Sequence, residues 1–289
     1  MSRTITFFLF FSLAIPFWAQ YQPSSSGEVI EHTYFSLSFI EDHEQAEWVY
    51  YKLTHELVNG SQSRTDNFRP DPGISTGSAT LEDYKGSGYD RGHLCPAGDM
   101  KINKTAMSET FYMSNMSPQA PSFNRGIWKK LEATVRNWAI IEDSIHIATA
   151  GVLSSNNSHI SSNEVSVPEY YYKVIYAPKA QKMIAFILPN QKSNVPLHSF
   201  IVSVNEVEAL TGIDFFPQLP DSLENKLEAH SNTSLWSFKQ YSPSPSNTSN
   251  SSSAVQCLGI AKSTGNRCKK KTTNANGYCN AHKNQAHNQ

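Results

Sequence analysis

One sustained amphipathic helix stands among short strand-like runs, and that contrast limits what the chain can fold into. Across residues 125–140, Ile127, Trp128, Leu131, Val135, Trp138 and Ala139 fall on one face, with Lys129, Lys130 and Arg136 off it. That is the 3.6-residue period of a helix buried along a single stripe. Around it the chain reads as strand. Residues 32–39 alternate, 48–53 are rich in aromatic and β-branched residues, and 144–152, 170–176 and 183–189 follow, the last apolar enough for burial on both faces. Segment 63–72 reads as extended or turn, because each proline biases its predecessor away from helix. Residues 105–111 and 204–210 have room for short helices. No internal repeat is visible, and many strands with one long helix predict an α+β domain.

The chemistry gathers just before that helix. Tyr89-Asp90-Arg91-Gly92-His93-Leu94-Cys95-Pro96-Ala97-Gly98-Asp99 places an acid, a guanidinium, a glycine and an imidazole in consecutive positions. A second polar run, Ser114-Asn115-Met116-Ser117-Pro118-Gln119, precedes Phe123-Asn124-Arg125-Gly126, which opens the helix carrying Glu132. Phosphodiester hydrolysis needs a deprotonated water, neutralised phosphoryl charge and a stabilised leaving oxygen. A histidine can take the proton near neutral pH. Mg²⁺ keeps most of its waters and asks for few protein ligands, so one Asn oxygen suffices to hold it. Arginines add fork-shaped donors for phosphate. Singly, each residue has a blander reading: His93 as a structural histidine, Asn124 as a helix N-cap, Glu132 as a solvated helix residue. The ordered set is what points to catalysis.

Charge is distributed unevenly. The formal net charge is −1, yet residues 254–289 hold Lys262, Arg267, Lys269, Lys270, Lys271 and Lys283 and no acid. The remainder keeps 18 basic against 25 acidic residues, a net of −7. Such a body cannot attract polyanions over its whole surface, so any nucleic-acid site must be a local basic patch or rely on a metal.

At the other end, Arg3 gives a positive start and residues 5–17 are apolar but for Thr6, Ser12 and Pro16, with Ala19 as a small residue for cleavage. The run is short for a membrane span. Residues 1–20 are expected to be a signal peptide and the product secreted or periplasmic, with no membrane contact after cleavage; a retained N-terminal anchor is the alternative, since Phe17 is a poor residue before the cut.

The motifs resemble those of the DNA/RNA non-specific endonuclease family, the secreted bacterial nuclease and mitochondrial endonuclease G group of ββα-metal enzymes. The resemblance rests on Tyr-Asp-Arg-Gly-His-Leu at 89–94, Thr-Phe-Tyr-Met-Ser-Asn-Met-Ser-Pro-Gln at 110–119 and Phe-Asn-Arg-Gly-Ile-Trp with Leu-Glu at 123–132. Val-Pro-Glu-Tyr-Tyr-Tyr-Lys at 167–173 and Thr-Gly-Ile-Asp-Phe-Phe-Pro at 211–217 extend it over about residues 30–220. It implies a mainly antiparallel sheet with a long active-site helix and Mg²⁺ (or Mn²⁺) as cofactor. It implies hydrolysis of DNA and RNA to 5′-phosphate and 3′-OH ends.

By the same resemblance, His93 is the general base and Asn124 the direct Mg²⁺ ligand. Glu132 orients water around the metal, and Arg91 meets phosphate. Asp90 supports the turn, while Asn115 and Gln119 match polar positions near the site. Either Arg64 or Arg69 supplies an upstream phosphate contact, with Arg64 favoured. A homodimer is left open. The rival functions are a phosphodiesterase acting on small diesters and an inactive nuclease-like module that binds nucleic acid.

These readings divide the chain into the signal peptide at 1–20, the endonuclease domain at 21–240, a Ser/Pro/Asn linker at 241–255 and a basic tail at 256–289. In the tail, Cys257, Cys268, Cys279 and His282 form a Cys-x10-Cys-x10-Cys-x2-His pattern, a four-ligand set for Zn²⁺. With so few apolar residues, the tail could hardly fold without a metal or a crosslink. Disulfides, with Cys95 joining the tail cysteines, are the competing reading for an exported chain. The lysine run at 269–271 suggests added grip on nucleic acid, against the plainer reading of a solvated basic tail.

Overall fold

The computed structural model describes residues 21–238, 254–262, 264–274 and 276–287. The expected signal peptide, and all but the last two residues of the expected linker, lie outside them. The chain divides into two compact units, one ending at Tyr241 and the other starting at Ser242.

The first unit contains β1 (Glu28–Glu31), β2 (Ser36–Ile40), β3 (Gln45–Thr54), β4 (Asp90–His93), β5 (Met116–Gln119), β6 (Ser144–Gly151), β7 (Ser158–Ile160), β8 (Val165–Val167), β9 (Tyr170–Ala177), β10 (Lys182–Pro189) and β11 (Ile201–Val202). Seven of these make one sheet in the order β1-β2-β3-β6-β9-β10-β11, with every neighbouring pair antiparallel. Of the strand expected over 32–39, only 36–39 is strand, in β2; residues 32–35 are the turn that joins it to β1, in which His32 N–H donates to the Phe35 carbonyl at 2.8 Å. Alternation does not reveal that turn, because Phe35 enters the same core as Leu37 and Phe39.

The long helix, Lys129–Ile141, buries Leu131, Val135, Trp138 and Ala139 and packs on β3 and β6. Each large apolar side chain of that stripe contributes roughly 1.5–3 kcal/mol by leaving water. The helix does not begin at an Asn124 cap. The backbone enters at Pro121–Phe123, widens through a π-type turn over Asn124–Trp128 with Gly126 outside helical geometry, and only then becomes regular. Proline suits a first helical position because its missing N–H would be unpaired there anyway. Asn124 sits inside this run with helical backbone angles (φ −54°, ψ −54°), so its side chain is not spent on capping. A wide turn of this kind inside a helix is frequent at functional sites.

Beside the helix, β4 and β5 form an antiparallel ribbon that pairs Asp90 with Gln119, Gly92 with Ser117 and His93 with Met116. Gly92 is required by close approach: a Cβ there would lie 2.2 Å from the Gln119 side chain. The ribbon and the helix together make the ββα element. The helix Asp221–Glu228 and the β7–β8 hairpin went unseen in the sequence.

In the second unit, β12 (Val255–Gln256) pairs with β13 (Lys271–Thr272), and a tight helical segment covers Asn280–His287. Its buried cluster consists of Cys257, Cys268 and Cys279. Among the described residues, no helix is long and apolar enough to cross a membrane.

Candidate active site

Strand β4 and the wide turn face one cleft of about 300 Å³, lined by Arg64, Arg91, His93, Asn124 and Glu132 together with Pro96, Ala97, Gly98, Arg125, Lys129 and Arg136. A cavity of about 500 Å³ around Ile40–Asp42 and Ser75 is larger, but it carries acids and hydroxyls without an imidazole or a guanidinium. The small cleft holds the chemistry. With Arg64, Arg91, Arg125, Lys129 and Arg136 in its lining, it is locally basic on a body that is net negative.

Asp90 opens β4 and organises the cleft rim. Its carboxylate accepts from the Asn124 amide at 2.9 Å and from Arg125 Nε at 2.8 Å and a terminal guanidinium nitrogen at 2.5 Å. This commits the Asn124 nitrogen and leaves its carboxamide oxygen free to accept or to ligate. An oxygen donor beside a carboxylate, with no thiol or second imidazole in the lining, suits a hard cation such as Mg²⁺.

His93 closes β4, with its ring against the edges of Phe111 and Phe68 at centroid distances of 5.0 and 5.9 Å. Its Nε2 is buried and has no hydrogen-bond partner among the described residues. Burial, then the Arg64 and Arg91 charges, hold its pKa well below the ordinary histidine range, at about 3. The imidazole is therefore neutral at physiological pH.

Glu132 lies one turn into the regular helix. Burial and then the Asp99 carboxylate push its carboxyl upward, while Arg136, Lys173 and Lys129 pull it down. Arg91 stacks over the Phe68 ring at 4.3 Å and Arg64 over Phe111 at 4.7 Å, so both guanidiniums are held at the cleft by aromatic faces. Arg64 also pairs with exposed Asp66 at 2.6 Å. Arg69 points elsewhere: it covers the Tyr112 ring at 3.9 Å and donates to the Asn67 and Ser108 carbonyls. Of the two upstream arginines, Arg64 lines the cleft and Arg69 does not.

Asn115 and Gln119 support the cleft from behind. The Asn115 amide accepts from Cys95 N–H at 2.8 Å and donates to the Cys95 and Thr110 carbonyls, pinning the chain just after His93. Gln119 packs over Gly92, and both of its polar side-chain atoms are buried without partners among the described residues. Cys95 is a buried free thiol. The remaining expected ligands, Cys257, Cys268, Cys279 and His282, come together in the second unit.

Several residues here escaped the sequence. Buried Asp99 takes hydrogen bonds from Arg136 at 2.7 Å and Tyr51 at 3.0 Å, tying the helix to β3. Fully buried Lys173 lies 4.9 Å from the Trp128 ring centroid, with its Nζ unbonded among the described residues. A signal existed for Lys129 and Arg136, which stand three residues before and four after Glu132 and so share its helical face.

Residues 18–222 match the family model for DNA/RNA non-specific endonucleases. The chain belongs to that family. Nuclease C1 of Cunninghamella echinulata var. echinulata is 34% identical over 216 residues, spanning 68% of this chain and 86% of that protein. The mitochondrial nuclease EXOG of Danio rerio is 34% identical over 239 residues, spanning 76% and 70%. Human mitochondrial endonuclease G is 31% identical over 189 residues, spanning 60% and 64%. Among solved structures, a chain from a crystal structure of the EndoG/EndoGI complex superposes with a TM-score of 0.63 at 32% identity, covering 67% of this chain and 87% of that one. The ββα element is thus that of a metal-dependent endonuclease of this family, and the family match ends short of the C-terminal unit.

Proposed function

We propose that the protein is an exported, Mg²⁺-dependent, sugar-non-specific endonuclease that hydrolyses DNA and RNA to 5′-phosphate and 3′-OH ends. The observation that carries this reading is the convergence of His93, Asn124, Glu132, Arg64 and Arg91 on one cleft. The positively charged start and apolar run within residues 1–20 support export to the periplasm or medium.

In this reading Arg64 and Arg91 hold the scissile phosphate, and neutral His93 takes a proton from the attacking water on its imidazole. The new bond joins the water oxygen to phosphorus as the bond to the 3′-oxygen breaks, leaving phosphate on the 5′ side. Glu132 accepts hydrogen bonds from water at the cleft floor and so orients it. A Mg²⁺ ion held by the Asn124 oxygen would supply positive charge for the phosphoryl and leaving oxygens. Recognition stays at the backbone, because phosphate contacts carry no sequence information.

Plasmid and total RNA are the test substrates, digested with Mg²⁺ or EDTA beside His93→Ala. Metal-dependent loss of both substrates, reduced about 10²–10⁴-fold in the variant, is expected of a general base. Full activity in the variant would remove His93 from that role. A wild type inert with every divalent cation would leave a nucleic-acid-binding module, and cleavage of a chromogenic diester with plasmid left intact would indicate a small-diester phosphodiesterase.

A further inference from the structure

We propose that the C-terminal unit holds one Zn²⁺ ion in a closed structural site made by Cys257, Cys268, Cys279 and His282. Their ligand atoms all lie within 4.8 Å of one another. A tetrahedron with Zn–S of about 2.3 Å and Zn–N of about 2.0 Å separates sulfur from nitrogen by about 3.5 Å. His282 Nδ1 stands 3.6 Å from Cys257 Sγ and 3.4 Å from Cys279 Sγ. The donors are therefore already spaced as a metal would space them.

Three further features favour a metal over a crosslink. First, all four cysteines of the chain are free, and Cys95 lies in the core of the other unit. Three tail cysteines could form one disulfide at most, leaving a thiol and an imidazole stranded beside it. Second, backbone N–H groups from Cys279 and Gly259 reach Cys257 Sγ at 3.1 and 3.3 Å. Donors of this kind stabilise a thiolate, the form of cysteine that binds metal. Third, Gly259 must be glycine, since a Cβ there would lie 2.4 Å from His282 Cβ. The backbone passes close enough to the imidazole to wall in the site.

The metal also answers a question of stability. Among the described residues of this unit the buried apolar cluster is the three cysteines themselves, while Val255, Leu258 and Ile260 are each about half exposed, at 50%, 49% and 47%. An apolar core that small cannot hold 30-odd residues together, whereas a structural zinc supplies folding free energy outright. Four protein donors fill the coordination shell and leave no open position, so the role is structural and not hydrolytic. The inference is independent of how the first unit cleaves its substrate.

The test uses the full chain purified under reducing conditions. One zinc per chain is expected, undiminished in Asn124→Ala and lost in Cys268→Ser and His282→Ala, while plasmid cleavage persists in the last two. Replacing zinc by Co²⁺ in the wild type should give thiolate-to-cobalt charge transfer and the intense visible bands of a tetrahedral site, a readout that needs no variant to fold. A wild type that takes up neither metal overturns the proposal. So does a non-reduced preparation with fewer than four titratable thiols in denaturant, which would indicate a disulfide.

Discussion

The Asp90 carboxylate takes a hydrogen bond from the Asn124 amide nitrogen at 2.9 Å, so a residue on β4 decides which atom of a helix residue faces the cleft. The same carboxylate anchors Arg125. Asp90→Ala frees the carboxamide to rotate and present nitrogen, which cannot ligate a cation. Groups that orient a metal ligand typically matter 10–100-fold in affinity or rate. A loss of about that size is expected, with the Mg²⁺ concentration for half-maximal cleavage raised, and a metal titration of the rate reads it. An unchanged titration would make Asp90 an anchor for Arg125 alone.

Arg64 and Arg69 should separate cleanly. Arg64 lines the cleft, and a charged hydrogen bond to phosphate is worth about 1.5–3 kcal/mol. Arg64→Ala should therefore lower kcat/KM about 10–100-fold, far more than its loss of the Phe111 ring and the exposed Asp66 pair costs in stability, about 1 kcal/mol or less. Arg69→Ala gives up the Tyr112 ring and two carbonyl acceptors. It should cost about 1 kcal/mol of stability and little activity, as denaturant unfolding beside initial rates would show.

Gly92→Ala drives a methyl group into buried Gln119, at 2.2 Å from its side chain. Overpacking of this kind costs about 1–3 kcal/mol. Shortening the obstacle should relieve it, so Gly92→Ala with Gln119→Ala should be more stable than additivity of the two single changes predicts. A strictly additive double-mutant cycle would locate the need for glycine elsewhere.

His146 ties acid stability to the sheet. It is buried beside Tyr50, whose hydroxyl shares a hydrogen bond with Nδ1 at 2.6 Å. Burial, and then the Lys52 charge, depress its pKa from 6.5 to about 3. Above pH 6.5 neither the folded nor the unfolded chain protonates it. Below that, only the unfolded chain does, so stability falls with falling pH by about 1.4 kcal/mol per unit until the folded value is reached. His146→Asn should remove that increment. Unfolding free energies at pH 7, 6 and 5 would show the wild-type slope exceeding the variant's.

The exposed lysines 269–271 belong to a unit with six basic residues and no acid, while the rest of the chain is net negative. Replacing all three by glutamine should leave cleavage of short oligonucleotides unchanged and weaken binding of long duplexes. If all three meet phosphate, the slope of log affinity against log salt should flatten by up to about 2.7. A slope equal to the wild type's would make the lysine run a solvated surface.

The sequence showed some levels of this molecule well and others poorly. Long periodic segments were legible: the helix stripe through Leu131, Val135 and Trp138 and the strands around Tyr172 and Ile184 fall where the patterns put them. The cleft residues were legible as a set because they cluster in three short motifs, and Asn124 could be picked out by type. Its backbone state could not. A helix start and a wide turn share the same residues, and the difference lies in whether the side chain is bound by Asp90, thirty-four positions away. Asp99 and Lys173 stayed hidden for the same reason. Their partners Tyr51, Arg136 and Trp128 are brought near only by the packing of the helix on the sheet.

The wide turn at Asn124–Trp128 sets an angular phase. Each residue of a regular helix advances the side-chain direction by about 100°. Regularising this turn by removing Gly126 would rotate everything after it by roughly that angle relative to Asn124. The Leu131–Val135–Trp138 stripe is locked to the sheet and cannot follow, so the strain would fall on the segment carrying Asn124. The cleft and the core thus read the same helix at two different phases, and the irregular turn lets one stretch of chain satisfy both.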